Sequence, residues 1–122
     1  MLRVLIADDA ELIRRGIKYL LKNHKDILVV GEAVYFSETL QKTAELQPDV
    51  LIIDFRLIDG TENRSLTSIA NELSVLAISF DDDPTTEQRA RKLGATTSID
   101  KMDLGAELIP ALMKFLPPKS AD

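Results

Sequence analysis

Four short apolar runs constrain what this chain can fold into more than any other feature of its sequence. They are rich in β-branched residues and lie at residues 4–7, 27–30, 50–53 and 75–78. Each run is too short for a typical helix and does not alternate with polar residues, which is typical of strands covered on both faces of a parallel sheet. A more polar segment, residues 96–99, is predicted to be a fifth strand at an edge of the sheet.

The segments between the strands carry helical patterns. Over residues 10–23 the apolar side chains fall on one face, and Arg14, Lys18 and Lys22 form a basic stripe beside it. Pro110 is expected to kink or delay the last helix, at a cost of ~3 kcal/mol unless the chain adapts. The remaining predicted helices cover residues 37–46, 66–73, 84–93 and 104–116.

A strand followed by a helix recurs five times, which predicts one α/β domain. Right-handed crossovers between parallel strands give a doubly wound five-stranded sheet with helices on both faces. The helix that begins at Pro84 has carboxylates before it to cap its first turn, and Gly94 is predicted to end it. The domain is predicted to cover residues 1–118, with residues 119–122 as a tail or linker stub.

Composition and charge exclude several classes of function. The chain has 122 residues, no cysteine and a net charge of −5, without a dense cluster of lysine and arginine. Direct nucleic-acid binding by this segment is not expected, because contacts to phosphate supply most of that affinity. Disulfides and thiolate metal sites are excluded, and no apolar run approaches the ~20 residues that a membrane span needs. We expect a soluble protein of the cytoplasm.

Polar side chains follow the predicted strands at the points where the strands end. Asp8 and Asp9 follow the first strand, Asp54 the third, Ser79 the fourth and Lys101 the fifth. In such sheets ligands bind beyond the carboxyl ends of the strands. Three carboxylates at one edge would repel one another unless a cation joined them, and hard oxygen ligands favour Mg²⁺. With a hydroxyl and an ammonium group beside the ion, the set is typical of a phosphoryl-transfer site.

Each of these residues also has an ordinary structural explanation. Asp9 could simply cap the first helix, Asp54 could form a turn, and Lys101 could be a solvated surface lysine. Their joint position at the ends of successive strands favours the functional interpretation.

The residues that follow these strands occur in segments that match a known family. The sequence resembles the receiver domain of bacterial two-component response regulators over essentially its whole length, in residues 2–9, 29–33, 48–54 and 94–101. It is most similar to the receivers of helix-turn-helix transcriptional regulators of the nitrate-response type. The resemblance implies a flavodoxin-like (βα)5 fold with strand order 2-1-3-4-5.

The resemblance also implies a metal site and roles for its ligands. Asp9 would bind Mg²⁺ directly, Asp8 would assist through a bound water, and Asp54 would be a further ligand. The backbone carbonyl of Arg56 would complete the protein's set of ligands.

The same resemblance implies the chemistry of a phosphorylation switch. Asp54 would attack a phosphohistidine of a sensor histidine kinase or phosphotransfer protein and become an aspartyl phosphate. Lys101 would pair with the phosphoryl group, and Ser79 would swing toward it to signal its presence. Such a domain is a signalling module and not an enzyme with a separate substrate. The kinase is expected to dock on the basic stripe, unless that stripe is a solvated helix face, and a homodimer is a further expected partner.

Several residues depart from the family pattern. Ile58 stands where a proline is usual, and Asp59-Gly60 comes early, so a shorter loop is expected over the site. Phe80 replaces a small residue and is expected to crowd the approach to the site. Ser98 replaces the switch aromatic, which predicts a weaker or differently routed conformational response to phosphorylation. These departures favour the alternative that the chain is a degenerate receiver, a protein-interaction module that works without phosphate. A phosphatase would need a further general acid and a cap, and neither is visible.

Arg56 and Asp81 flank the site in the predicted arrangement. Opposite charges there could pair across its entrance and hinder an attacking water. The alternative is two solvated side chains worth under ~1 kcal/mol.

Overall fold

The fold is a five-stranded parallel sheet, seen in a computed structural model that describes residues 1–58, 68, 73–80 and 83–116. The strands are β1 (Leu2–Ala7), β2 (Ile27–Ala33), β3 (Val50–Asp54), β4 (Ser74–Ser79) and β5 (Thr97–Asp100). They lie in the order β2-β1-β3-β4-β5, so the predicted α/β class and strand order are confirmed. The fifth strand lies at an edge as predicted, one residue later in the chain.

Four helices connect or follow these strands in the described part of the chain. They are α1 (Glu11–Leu21), α2 (Phe36–Leu46), α3 (Pro84–Lys92) and α4 (Leu104–Met113). The helix predicted over residues 66–73 lies almost entirely outside the described residues, as do the loop at Asp59-Gly60 and the predicted tail, residues 119–122. Among the described helices, none has the length and apolar character to cross a membrane.

Helices cover both faces of the sheet, which explains why its strands are continuously apolar. Val4 packs in one core with residues of α1 and α4, whereas Leu5 packs in a second core with residues of α2 and α3. Ile52 and Ile53 of the central strand β3 divide in the same way, and both are fully buried. Alternate residues of the central strands therefore pack into the apolar cores on the two faces of the sheet.

Local signals set the ends of α3. Asp83 caps its start, because the Asp83 carboxylate accepts a hydrogen bond of 2.9 Å from the Thr85 N–H and Pro84 occupies the first turn. Gly94, just beyond the helix, has a φ of 109°, a conformation that favours glycine. Both predicted signals are confirmed. In α4 the helix continues through Pro110, whose ring nitrogen has no hydrogen to donate.

A bulge interrupts the pairing of β2 with β1. Val4 pairs with Val29 but Leu5 pairs with Gly31, so Val30 is an extra residue on β2. Beyond Val30, the side chains of β2 therefore point to the opposite faces of the sheet from those that regular pairing would give. Glu32 comes to lie beside Ile6, on the face of the sheet that α1 covers. The strand is three residues longer than predicted, because a glycine and a glutamate do not suggest a strand.

Candidate functional site

The acidic cluster forms because β1 and β3 are neighbours in register. Ala7 pairs with Ile53, so the next residues, Asp8 and Asp54, lie side by side at the carboxyl ends of β1 and β3. Asp8 and Asp54 are fully buried, whereas the side chain of Asp9 is half exposed. One oxygen from each of the three carboxylates lies within 4.8 Å of the others. The structure therefore brings together the three aspartates that the strand ends predicted.

Lys101 reaches this cluster from beyond β5, across the end of β4. Its side chain is fully buried, and its Nζ lies 2.7 Å from Asp8 Oδ2 and donates a hydrogen bond of 3.1 Å to Asp54 Oδ2. A short 3-10 turn, Lys101–Asp103, begins at the lysine, and the Asp100 carboxylate caps that turn by accepting the Met102 N–H. The alternative of a solvated surface lysine is wrong.

The guanidinium of Arg56 contacts the cluster where the cluster is exposed to solvent. Arg56 Nη2 is 2.8 Å from Asp54 Oδ2 and 3.3 Å from Asp9 Oδ1, and Arg56 Nε is 3.1 Å from Asp54 Oδ2. The backbone N–H of Arg56 also donates to Asp54 Oδ1 at 2.9 Å, within the 3-10 turn Phe55–Leu57. Asp81, the partner expected from the sequence, lies outside the described residues.

Sequence reasoning missed this contact between Arg56 and the aspartates. The sequence feature that could have indicated it is the spacing of Arg56, two residues after Asp54. In a tight turn at the end of a strand, this spacing allows the arginine side chain to reach the carboxylate.

The charge of Asp54 follows from these contacts. Burial raises the pKa of the Asp54 carboxyl, but hydrogen bonds from Arg56 and Lys101 outweigh it and hold that pKa below its ordinary value. The bond to Asp54 in turn raises the pKa of the Arg56 guanidinium. Asp54 is therefore an ionised carboxylate at neutral pH, the form that can act as a nucleophile.

The donor set of the cluster fits a small hard cation. Asp8 Oδ1 accepts the Ala10 N–H at 2.8 Å, which fixes the carboxylate at the start of α1. Asp8 Oδ2 is buried and forms an ion pair of 2.7 Å with the Lys101 ammonium. Three carboxylates without histidine or cysteine among them match Mg²⁺.

Ser79 and Ser98 line a cavity beside the cluster. Ser79 ends β4, one residue beyond the residue that pairs with Asp54. Ser98 faces the same cavity, of about 160 Å³, which lies between β5 and α3 and which Glu87 also lines. Ser98, where the resemblance implies an aromatic ring, thus borders open space.

Phe80 is exposed at the rim of the site. The centroid of its ring lies 4.9 Å from the Nζ of Lys101. The expected crowding therefore takes the form of a ring against the buried ammonium, a favourable contact for a cation.

The basic stripe on α1 is largely paired within the chain. Arg14 Nε lies 3.1 Å from Glu32 Oε1, and Lys18 Nζ lies 2.9 Å from Glu32 Oε2. Burial raises the pKa of the Glu32 carboxyl, but the hydrogen bonds from Lys18 and Arg14 outweigh it and keep that pKa below its ordinary value. Arg14 also donates to the backbone oxygen of Asp8 at 2.8 Å, which ties the stripe to the site. Lys22 lies over the ring of Tyr19.

Comparison with known proteins agrees with this geometry. Residues 4–112 match the family described as the response regulator receiver domain. The chain is 33% identical over 115 residues to the response regulator GacA of Pseudomonas viridiflava, covering 92% of this chain and 54% of that protein. It is 36% identical over 122 residues to the transcriptional regulatory protein LiaR of Bacillus subtilis, again covering 92% and 54%. The chain thus spans about half the length of these relatives.

A solved structure has the same fold. The signal receiver domain of the putative response regulator NarL from Mycobacterium tuberculosis is 28% identical, with a TM-score of 0.82 over 93% of this chain and 94% of that one.

Proposed function

This chain belongs to the response regulator receiver domain family, a family of phosphorylation-controlled signalling domains, and we propose that Asp54 is its phosphoacceptor in a magnesium-dependent reaction. One observation carries the proposal: the ionised Asp54 carboxylate lies beside a buried ammonium and two further aspartates. A nucleophile, a cation and a set of metal ligands are the groups that phosphoryl transfer requires.

Four residues would hold the metal. Asp9 is proposed as a direct ligand, Asp8 as a ligand through water, and Asp54 and the backbone carbonyl of Arg56 as the others. When bound, Mg²⁺ supplies positive charge to the oxygens of the phosphoryl group.

The residues of the chain have separate parts in the transfer. An Asp54 oxygen attacks phosphorus, the P–N bond of a phosphohistidine breaks, and its electron pair returns to the imidazole nitrogen. Lys101 pairs with a phosphoryl oxygen and offsets the charge that develops there. The Ser79 hydroxyl then donates to the phosphoryl group, which links its presence to the end of β4.

Membership of the family supports a proposal for the partners. We propose a sensor histidine kinase or phosphotransfer protein as the phosphoryl donor, a location of this chain in the cytoplasm, and a homodimer with a second copy of the chain. Since LiaR is a transcriptional regulatory protein and the chain spans about half of its length, control of transcription through a further domain is part of the proposal.

Incubation with Mg²⁺ and a small phosphodonor, followed by intact-protein mass spectrometry, tests the function. We expect the mass of one phosphoryl group to be added to the wild-type chain and to Asp26→Asn, a control at an exposed aspartate. The same gain should be absent in Asp54→Asn and in the presence of EDTA.

The second candidate is the degenerate receiver, which Ser98 and its open cavity favour. No mass gain in the wild-type chain would support it and overturn the phosphoacceptor proposal. Turnover of many phosphodonor molecules per chain would instead indicate a phosphatase.

A further inference from the structure

We infer that the Arg56 side chain competes with Mg²⁺ for the acidic cluster and thereby sets the magnesium concentration at which the switch becomes reactive. The inference rests on the proposed function, because it takes the cluster to be the magnesium site. It adds a part in metal binding for the guanidinium of a residue whose backbone carbonyl was expected to be a ligand and whose side chain was expected to pair with Asp81.

The guanidinium already contacts the groups that a metal would use. Arg56 Nη2 lies between two of the three carboxylates, 2.8 Å from Asp54 Oδ2 and 3.3 Å from Asp9 Oδ1. These residues belong to the group whose oxygens lie within 4.8 Å of one another. A metal ion bound to both carboxylates would occupy the space that the guanidinium now fills. The two cations therefore cannot be present there together.

The same contact covers the nucleophile. Asp54 Oδ2 accepts from Arg56 Nε at 3.1 Å, from Arg56 Nη2 at 2.8 Å and from Lys101 Nζ at 3.1 Å. Three donors exceed the two lone pairs of one carboxylate oxygen, so Asp54 Oδ2 has little capacity left for a phosphorus atom. Arg56 must move before Asp54 can react through this oxygen.

The charges favour exchange of one cation for the other. Three carboxylates face the cations Lys101 and Arg56, which leaves one negative charge in the cluster. Replacing the guanidinium by a divalent ion makes the group neutral, whereas adding the ion beside it would leave an excess of positive charge. Like charges at such distances repel, so the two cations exclude each other.

Exposure decides which of the two cations leaves. The side chain of Lys101 is fully buried, whereas that of Arg56 is 61% exposed. The Arg56 side chain can turn into water and keep its charge solvated, while its backbone stays in place. Lys101 has no such route, because leaving would expose a buried pair.

Magnesium binding measured by isothermal titration calorimetry tests the inference. Arg56→Ala keeps the backbone carbonyl and removes the competing charge, so we expect it to bind Mg²⁺ at least about fivefold more tightly than the wild type, the factor that a pair worth ~1 kcal/mol gives. Arg56→Met, which keeps most of the alkyl chain, should do the same. The rise in melting temperature on adding Mg²⁺ should be larger in both variants than in the wild type.

Arg91→Ala is the matched control. This substitution, like Arg56→Ala, removes one positive charge. The Arg91 side chain is 63% exposed, and its guanidinium forms an ion pair of 2.9 Å with Glu87. Its magnesium affinity should stay within about twofold of the wild type, since exposed charges away from the site are screened by salt.

The outcomes separate the inference from the function on which it rests. Equal magnesium affinity in the wild type and both Arg56 variants would overturn the inference and leave the proposed function standing. Weaker binding in both variants would also overturn it. Absence of magnesium binding in every protein, the wild type included, would overturn both.

Discussion

The ammonium of Lys101 is the cation that the folded chain cannot release. It lies between Asp8 and Asp54, and all three side chains are fully buried. Breaking a buried ion pair by removing one partner is costly, because the charge that remains has lost both water and its counterion. Two carboxylates would be left here, so this residue supports the fold as well as the proposed chemistry.

We predict that Lys101→Met lowers the free energy of unfolding by about 3 kcal/mol at neutral pH. Saturating Mg²⁺ should restore part of the loss, because it would supply the missing positive charge. Urea denaturation with and without Mg²⁺ measures both effects. Lys114→Met, the same change at an exposed position, should cost under ~0.5 kcal/mol. Equal losses in the two variants would contradict the prediction.

Among the elements, β2 shows how an irregularity in a strand positions charge. The bulge at Val30 brings Glu32 onto the α1 side of the sheet, where Arg14 and Lys18 bind its two oxygens. Two of the three residues of the basic stripe, Arg14 and Lys18, are thus held against β2 by a single carboxylate. A kinase that used the stripe would have to compete with Glu32 for its charges.

The Glu32 pair should make stability depend on pH in a defined direction. The pKa of Glu32 in the folded chain is below its ordinary value of 4.5, so its contribution is fully present above pH 4.5 and is lost as the pH falls through the lowered value. At pH 7 we expect Glu32→Gln to be less stable than the wild type by about 1 kcal/mol. The stabilities of the two proteins should converge as the pH falls through the lowered pKa of Glu32.

Denaturant unfolding across this pH range measures the difference. Glu45→Gln, at an exposed position of α2, controls for the loss of one negative charge. A constant gap between wild type and Glu32→Gln from pH 7 to pH 3 would show that the ion pairs do not carry the effect.

At the scale of the whole molecule, the cavity between β5 and α3 affects how a conformational change at the site reaches the surface formed by α3, β5 and α4. Its volume is about 160 Å³, and Ser79 and Ser98 both line it. A dry cavity of about 150 Å³ can hold a benzene ring. An aromatic side chain at position 98 would therefore have room to fill the space beside the hydroxyl that is proposed to sense the phosphoryl group.

We predict that phosphorylation of the wild-type chain changes the NMR chemical shifts of α3, β5 and α4 less than phosphorylation of Ser98→Tyr does. The ring would couple movement of Ser79 to the outer face, which the short serine side chain cannot do. Ser98→Ala should behave like the wild type. Responses of equal size in the wild type and Ser98→Tyr would show that the serine does not limit the signal.

Most of this architecture could be predicted because it depends on local patterns. Apolar runs indicated the central strands, and the ends of those strands indicated Asp8, Asp54 and Lys101, since parallel strands bring their ends to one edge. The bulge in β2 and the position of the Arg56 side chain could not be predicted. The bulge depends on which residues of β1 pair with β2. The position of the Arg56 side chain depends on which of several conformations that side chain adopts.

The bulge has a further consequence for the sheet as a surface. In the order β2-β1-β3-β4-β5 the outer strands are β2 and β5, and the outer edge of each carries backbone groups that pair with no other strand among the described residues. β2 breaks the even spacing of those groups at Val30, and β5 is only four residues long. Neither edge strand therefore offers a long, regular edge to which a strand of another molecule could pair. The bulge at Val30, which also positions Glu32, thus disfavours edge-to-edge aggregation.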